Sequence, residues 1–148
     1  MLTGVAQPIR VFNSISTTQV VNGLLNGRSY TFVVAAKNAN GTGLVSAASS
    51  AVLVAGAPAP PIGVRAVRAA AGQLRVIFVP GSSNGLAITS FTATCSSNNG
   101  GVSRSTRGAA SPIVVPGLSL NKSYTCNVRA TNIRGTGPVS TKSKAVTA

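Results

Sequence analysis

The feature that most constrains the fold of this chain is an internal repeat with an offset of 94 residues. Residues 20–54 and 114–148 align without a gap, and 18 of the 35 aligned positions are identical. The identical positions include the Gly-Thr-Gly triplets at 41–43 and 135–137. A repeat of this length indicates one structural unit present twice. By the offset, the second unit has about 90 residues, whereas the first is represented only by its C-terminal part.

A stretch rich in proline and alanine divides the two units. Residues 57–61 read Ala-Pro-Ala-Pro-Pro, a composition typical of a stiff, extended linker. The predicted organisation is therefore the C-terminal part of a unit at residues 1–56, a linker at 57–61 and a complete domain at 62–148. These three segments are called the first unit, the linker and the second unit below.

Apolar and polar residues alternate along the second unit with the period of β-strands. In one such segment Leu74, Val76 and Phe78 are expected to point inward. The predicted strands are 64–68, 74–78, 90–95, 102–107, 112–115, 124–130 and 139–146. Seven strands without any helical period predict an all-β sandwich. In the first unit, the same reasoning predicts four strands at most, near 5–12, 17–21, 29–38 and 45–54.

An ordered set of motifs runs through the second unit. They are Gly117-Leu118-x5-Tyr124, Asn132-x-x-Gly135-Thr-Gly-Pro-x-Ser140, Pro60-Pro61-x-x-Val64 and Gly-Leu-Ala-Ile-Thr-Ser-Phe at 85–91. Together they resemble the bacterial extracellular type of fibronectin type III repeat, over residues 59–148 fully and residues 1–56 in part. The resemblance implies an immunoglobulin-like seven-stranded β-sandwich, preceded by a partial second sandwich.

The resemblance also implies a structural role for one tyrosine in each unit. Tyr124 follows Leu118 by six residues, as Tyr30 follows Leu24. This spacing is similar to the tyrosine corner, in which the hydroxyl bonds to the backbone across a strand crossover. Two positions depart from the family pattern: Ala87 stands where a proline is frequent before the third strand, and Phe78 stands where a tryptophan is usual.

The family places its third strand beside its sixth, and each carries one of the two cysteines of this chain. The resemblance therefore implies that Cys95 and Cys126 point into the core on neighbouring strands. A disulfide is favoured, and two buried thiols are the alternative. The equivalent of Cys126 in the first unit is Phe32, so that unit is expected to lack the bridge.

The charge composition excludes most enzyme classes. The chain has 13 Lys and Arg residues and no Asp, Glu or His, which gives a net charge of +13. Paired-carboxylate hydrolysis and histidine-based triads are impossible without these side chains, and carboxylate sites for Ca²⁺ or Mg²⁺ cannot form. We therefore predict no enzyme activity, no cofactor and no metal site. The Arg-Gly-Asp adhesion tripeptide known from some members of the family is also excluded, since it requires Asp.

A cation whose charge does not titrate attracts polyanions such as acidic polysaccharide or an anionic cell envelope. Arg104 and Arg107 are the best local candidates for anion contact, and Arg65 and Arg75 are expected to share the outer face of the other sheet. The alternative is dispersed, solvated charge. Nucleic acid is disfavoured because aromatic residues make up only 4% of the chain and Trp is absent.

The functional hypotheses are a spacer or adhesive module, a filament subunit and an accessory module of a larger secreted enzyme. The incomplete first unit suggests either a fragment of a longer array or completion by strands from another subunit or a neighbouring repeat, including homo-oligomers. The pair of cysteines favours an extracellular or cell-surface location. No signal peptide is recognised at the N-terminus, and the longest apolar stretch, 51–57, is too short to span a membrane.

Overall fold

The computed structural model describes residues 7–148, and its regular secondary structure consists of β-strands. The first unit contains β1 (Arg28–Tyr30), β2 (Lys37–Asn38), β3 (Gly41–Thr42) and β4 (Val52–Val54). The second unit contains β5 (Ile62–Ala70), β6 (Gln73–Val79), β7 (Ser90–Ser97), β8 (Arg104–Gly108), β9 (Ile113–Val115), β10 (Ser123–Asn132), β11 (Gly135–Thr136) and β12 (Val146–Thr147).

Two antiparallel sheets form the second unit. One has the order β5-β6-β9, and the other has the order β11-β10-β7-β8, with β12 also paired to β10. This arrangement confirms the predicted immunoglobulin-like β-sandwich, and it places β8 at an edge, as its polar sequence predicts.

The core lies between these two sheets. As predicted, the inward residues of β6 are buried, and they face alternate residues of β7 and β10 across the interior. Phe78 and Phe91 pack with their ring centroids 4.9 Å apart. The buried apolar residues of these three strands are Leu74, Val76, Phe78, Phe91, Ala93, Cys95, Tyr124, Cys126, Val128 and Ala130.

The last segment of the second unit differs from the regular strand predicted at 139–146. Ser140 and Ser143 each donate a backbone N–H to a carbonyl of β10, those of Val128 and Cys126. Their hydroxyls accept hydrogen bonds from the N–H groups of the same two residues, at 2.9 and 3.0 Å. The segment therefore advances three residues for every two of β10. The serine side chains replace the missing ladder bonds, which satisfies the buried backbone of β10.

The first unit repeats this local pattern. Ser46 and Ser49 bond through backbone and hydroxyl to Val34 and Phe32, the residues equivalent to Val128 and Cys126. The N–H of Gly27 donates to Val54 as that of Asn121 donates to Ala148. The repeat is therefore present in the hydrogen bonds as well as in the sequence.

Most strands predicted in the first unit are not formed, however. Residues 7–12 and 17–21 contain no strand, residues 29–38 are strand only at their two ends, and residues 45–54 are strand only at 52–54. Residues 5 and 6 of the first predicted strand lie outside the described residues. The cause is the lack of partners: in the second unit β8 pairs with β7 and β9 with β6, and no described residues of the first unit are equivalent to β6 or to the part of β7 that precedes Cys95.

Candidate functional site

The two cysteines are joined in a disulfide in the centre of the second unit. Cys95 on β7 lies directly opposite Cys126 on β10, with their Cα atoms 4.1 Å apart. Both side chains are fully buried. The disulfide predicted from the sequence is therefore present, and it links the two central strands of one sheet rather than the two sheets.

Both candidate corner tyrosines accept a hydrogen bond from a backbone N–H of their own unit. The hydroxyl of Tyr124 accepts a hydrogen bond from the N–H of Ser119 at 2.8 Å. The hydroxyl of Tyr30 accepts one from the N–H of Leu25 at 2.9 Å. The bonds are equivalent, but Tyr124 and Leu118 are buried, whereas Tyr30 and Leu24 are only partly buried.

Arg65 and Arg75 lie on the outer face of the β5-β6-β9 sheet, as expected. Each alternates with buried residues of its strand, Ala66 beside Arg65 and Leu74 beside Arg75. The outward neighbours across the strands are aliphatic: Ile77 opposite Arg65, and Val67 and Val114 opposite Arg75. This face therefore combines two exposed guanidinium groups with a strip of aliphatic residues.

Arg104 and Arg107 do not converge on one site. They stand three residues apart on the edge strand β8, opposite Cys95 and Thr92, and so project from opposite faces of the strand. The Nε of Arg104 donates to the carbonyl of Gly117 at 3.3 Å. Arg107 is exposed. A single anion would not contact both side chains.

An open depression of about 630 Å³ lies at the end of the sandwich, lined by Pro80, Gly81, Ser83, Ile88, Phe91 and Ala110 among others. The lining contains no charged side chain. Among the described residues, no group of three or more metal-ligating side chains occurs. The depression therefore offers an apolar surface. Its lining has no charged side chain that could act as an acid or a base, or that could activate a nucleophile.

A second unusual surface is the inner face of the first unit, defined by Phe32, Val34 and Ala36. By the offset these residues are equivalent to Cys126, Val128 and Ala130, all of which are fully buried. Val34 is 71% exposed, whereas Val128 is 0% exposed. The difference arises because β5 and β6 of the facing sheet cover the inner side of β10 and β7 pairs along its edge, whereas no described segment does so for residues 32–36. We call this surface the open face.

Sequence reasoning missed the way in which the linker is bound. The side-chain amide of Asn132 donates to the carbonyl of Gly56 at 2.9 Å, and that of Asn84 donates to the carbonyl of Ala57 at 2.7 Å. Pro58 and Pro61 are buried against the second unit. The sequence does contain one indication that Asn132 has a structural role, because it is identical to its counterpart Asn38 in the repeat.

Comparisons with known proteins find similarity at the level of structure only. A scan against protein-family models gives no match, and a search of the curated proteins finds no relative. The structure is similar to domains d3–d4 of the extracellular region of rat CD45, with a TM-score of 0.65 and 16% identity over 99% of this chain and 77% of that one.

Two titin structures are also similar. Domains A168–A170 match with a TM-score of 0.61 and 23% identity over 85% of this chain and 43% of that one. The structure of titin kinase and its flanking domains matches with a TM-score of 0.56 and 21% identity over 62% of this chain and 17% of that one. The chain thus spans less than half of either titin structure.

Within residues 7–148, no helix is long and apolar enough to cross a membrane. The solved structures similar to this chain contain immunoglobulin-like and fibronectin type III-like domains. Together with the two-sheet topology of residues 62–148, they show that this chain has the immunoglobulin-like β-sandwich fold.

Proposed function

We propose that this chain is a non-catalytic structural module of an extracellular protein, in which a complete fibronectin type III domain at 62–148 follows the C-terminal part of a second one at 1–56. Its task is to hold neighbouring units at a fixed spacing and to present a basic surface. The observation that carries this proposal is the set of hydrogen bonds and close contacts at the junction between the two units.

The junction is held by bonds on both sides of the linker. The N–H of Gly56 donates to the carbonyl of Asn84 at 3.1 Å, and that of Ala59 donates to the carbonyl of Ser82 at 2.8 Å. Gly27 of the first unit lies against Gly85 of the second, where an added Cβ would come within 3.0 Å of the Gly27 Cα. Because prolines within the linker restrict the backbone as well, the chain direction at the junction is fixed, as a spacer requires.

The junction can be tested at a pair of equivalent glycines. A Cβ on Gly137 would collide with the carbonyl of Pro58, whereas a Cβ on Gly43, its counterpart, would meet only the Ala36 carbonyl at 3.6 Å. We expect Gly137→Ala to displace the linker and Gly43→Ala to leave it in place. The measurement is NMR relaxation of amides in both units. Equal rotational correlation times in the parent and in Gly43→Ala, with two different times in Gly137→Ala, support a rigid spacer. Independent motion of the units in the parent protein contradicts it.

The outer face of the β5-β6-β9 sheet, which carries Arg65 and Arg75, supports a second part of the proposal, contact with anionic polymers. With no carboxylate side chain in the chain, no Asp or Glu neutralises the guanidinium groups of Arg65 and Arg75. We expect salt-sensitive retention on immobilised heparin, reduced in Arg65→Ser/Arg75→Ser. Arg104→Ser/Arg107→Ser, which removes the same charge from two diverging side chains, is the matched control. Equal losses in the two double variants would indicate net charge rather than a defined surface.

An extracellular or cell-surface location is part of the same proposal. It is supported by the Cys95–Cys126 disulfide, since such bonds persist in oxidising compartments. The test is the redox state of the thiols in protein isolated from its native source under alkylating conditions. Two alkylated cysteines would contradict an oxidising location.

A second candidate function, a filament subunit, is favoured by the open face. An exposed apolar sheet face with unpaired strand edges invites pairing with another chain. Sedimentation velocity over a range of protein concentrations tests it. Growth of species larger than the monomer with concentration supports a filament, and a single monomeric species at all concentrations contradicts it.

A further inference from the structure

We infer that the outer face of the β5-β6-β9 sheet binds the surface of a bilayer that contains anionic lipids, with its guanidinium groups at the lipid phosphates and its aliphatic side chains at the boundary of the acyl chains. The inference rests on the proposed role of Arg65 and Arg75 as residues that contact anions, and it names the class of partner. We call this surface the mixed face. Its outward residues are Arg65, Arg75, Ile62, Val67, Ile77, Val79 and Val114.

The strand register places these side chains on one side of the sheet. Three rows of directly opposite residues make up the mixed face: Val67-Arg75-Val114, Arg65-Ile77 and Ile62-Val79. Since Leu74 and Val76 are buried in the core, Arg75 between them points outward, and so do the residues directly opposite it. Four of the five aliphatic side chains are exposed, by between 37% and 59%. Each guanidinium group therefore stands among exposed or half-buried aliphatic neighbours.

The outer face of the other sheet has the same number of arginines but a different chemistry. Its outward rows are Arg129-Thr92-Arg107, Asn127-Thr94-Ser105, Thr125-Ser96 and Thr131-Ser90. We call these residues the polar face. Apart from its two arginines, the polar face consists of hydroxyl and amide side chains. Because the two faces have equal charge in these rows, the aliphatic residues are what distinguishes the mixed face.

The partner of the mixed face must be anionic. The chain has no Asp or Glu, so no acidic side chain neutralises Arg65 and Arg75. A second copy of the chain would bring the same positive charge to the contact, and the two faces would repel each other. The charge therefore favours a partner of different chemistry over self-association through this face.

The partner must also offer apolar surface. Guanidinium groups serve a sulfated glycan and a lipid phosphate equally, whereas aliphatic side chains leave the hydroxyls of a glycan without hydrogen-bond partners. An anionic bilayer meets both requirements, because its phosphates lie directly above its acyl chains. An arginine can bond to phosphate with its head while its alkyl stem lies along apolar surface.

The experiment measures co-sedimentation of the full chain with vesicles of phosphatidylcholine that contain about 30% phosphatidylserine. We expect binding to these vesicles and none to vesicles of phosphatidylcholine alone. In bicelles of the same anionic composition, a nitroxide-labelled lipid broadens the NMR signals of nearby methyl groups. We expect the methyl signals of Val67 and Val114 to broaden and those of Thr92 and Thr94 to remain unchanged.

Two pairs of valines provide matched variants. Val67→Ser/Val114→Ser removes aliphatic groups from the mixed face without changing the charge, and is expected to weaken vesicle binding at least about tenfold. Val102→Ser/Val139→Ser is expected to bind as the parent does. Its valines are exposed to a similar extent, 48% and 41% against 37% and 38%, and they lie beside the other sheet, next to β8 and to Ser140. All four valines are exposed, so neither variant opens a cavity in the core.

Two pairs of arginines provide variants of equal charge. Arg65→Ser/Arg75→Ser is expected to weaken vesicle binding at least about tenfold, because both guanidinium groups lie on the mixed face. Arg107→Ser/Arg129→Ser removes the same charge from the polar face and is expected to weaken binding less than about threefold.

Three results overturn the inference. The first is no binding to the anionic vesicles, and the second is equal binding of the two valine double variants. The third is a stable dimer of the parent chain that Val67→Ser/Val114→Ser dissociates, which would show that a second copy covers the mixed face.

Retention on heparin separates this inference from the proposed contact with anionic polymers. Retention on heparin without vesicle binding contradicts the inference and leaves the polymer contact standing. Vesicle binding that Val67→Ser/Val114→Ser weakens, without retention on heparin, supports the inference and contradicts the polymer contact alone. None of these measurements affects the junction test on Gly137→Ala.

Discussion

The two units of this chain have the same local sequence and the same local hydrogen bonds but opposite degrees of burial. Val34 and Val128 bond to equivalent serines, yet one is 71% exposed and the other is 0% exposed. The serine-bonded last segment, the tyrosine bond and the turn in which Asn38 Oδ1 accepts from the Asn40 N–H recur in both units, and they depend on residues within the repeated segment. Burial and most of the regular strand pairing come from strands that, within residues 7–148, only the second unit contains. Changes at equivalent positions therefore separate the two contributions.

The largest effect is expected from the disulfide, which only the second unit has. Cys95→Ala/Cys126→Ala releases a link between residues 31 positions apart. We expect the free energy of unfolding of the second unit to fall by about 2–5 kcal/mol. Urea denaturation of the parent and the double variant measures this. A loss near zero would contradict the contribution of the bridge to the sandwich.

The next effect is expected at the equivalent valines. Val128→Ala opens a cavity among fully buried residues and should lower the free energy of unfolding by about 2 kcal/mol. Val34→Ala removes an exposed side chain and should change it by less than about 0.5 kcal/mol. The same denaturation experiment compares them, and similar losses in the two variants would show that the first unit has a closed core after all.

A smaller difference is expected at the tyrosines. Tyr124→Phe leaves the Ser119 N–H without its acceptor beside a buried ring, at a cost of about 1–2 kcal/mol. In Tyr30→Phe, water can replace the lost acceptor for the exposed Leu25, so the cost should be under about 0.5 kcal/mol. Thermal unfolding of both variants measures the two costs. A larger loss of stability in Tyr30→Phe than in Tyr124→Phe would contradict the expectation that burial makes the Tyr124 bond the more important one.

The smallest effect is that of pH. No Asp, Glu or His side chain is present, so the folded and unfolded states bind equal numbers of side-chain protons between about pH 5 and pH 7. The slope of unfolding free energy against pH is then zero, and the melting temperature should be constant at fixed ionic strength. A steady rise or fall of the melting temperature across this range would contradict the expected pH-independence of stability.

The sequence was sufficient to predict the second unit because each of its strands has its partner within the same 90 or so residues. Alternation identified the inward residues of β6, and the family resemblance implied the pair Cys95 and Cys126. The same alternation was misleading at residues 7–12 and 17–21, since a strand also needs a neighbour to pair with. Arg104 and Arg107 are close in sequence but diverge, because three residues along a strand reverse the face.

Two features of the candidate site do not follow from strand alternation or from the family resemblance. The serine ladder breaks the period of two, although Ser46 and Ser49 recur as Ser140 and Ser143. The bound linker depends on Asn84 and Asn132, which are distant from it in sequence. Contacts of this kind depend on tertiary packing. The sequence indicates them only because Ser140, Ser143 and Asn132 are identical to their counterparts in the first unit.

The most direct test of this account is hydrogen exchange of the free chain at three pairs of equivalent amides: Thr31 and Thr125, Val33 and Asn127, Ala35 and Arg129. We expect the second-unit amides, which face β7, to be protected at least about 100-fold more strongly than their first-unit counterparts. Equal protection in both units would mean that residues 31–35 are already covered, and would contradict the central claim that one sandwich is closed and the other open.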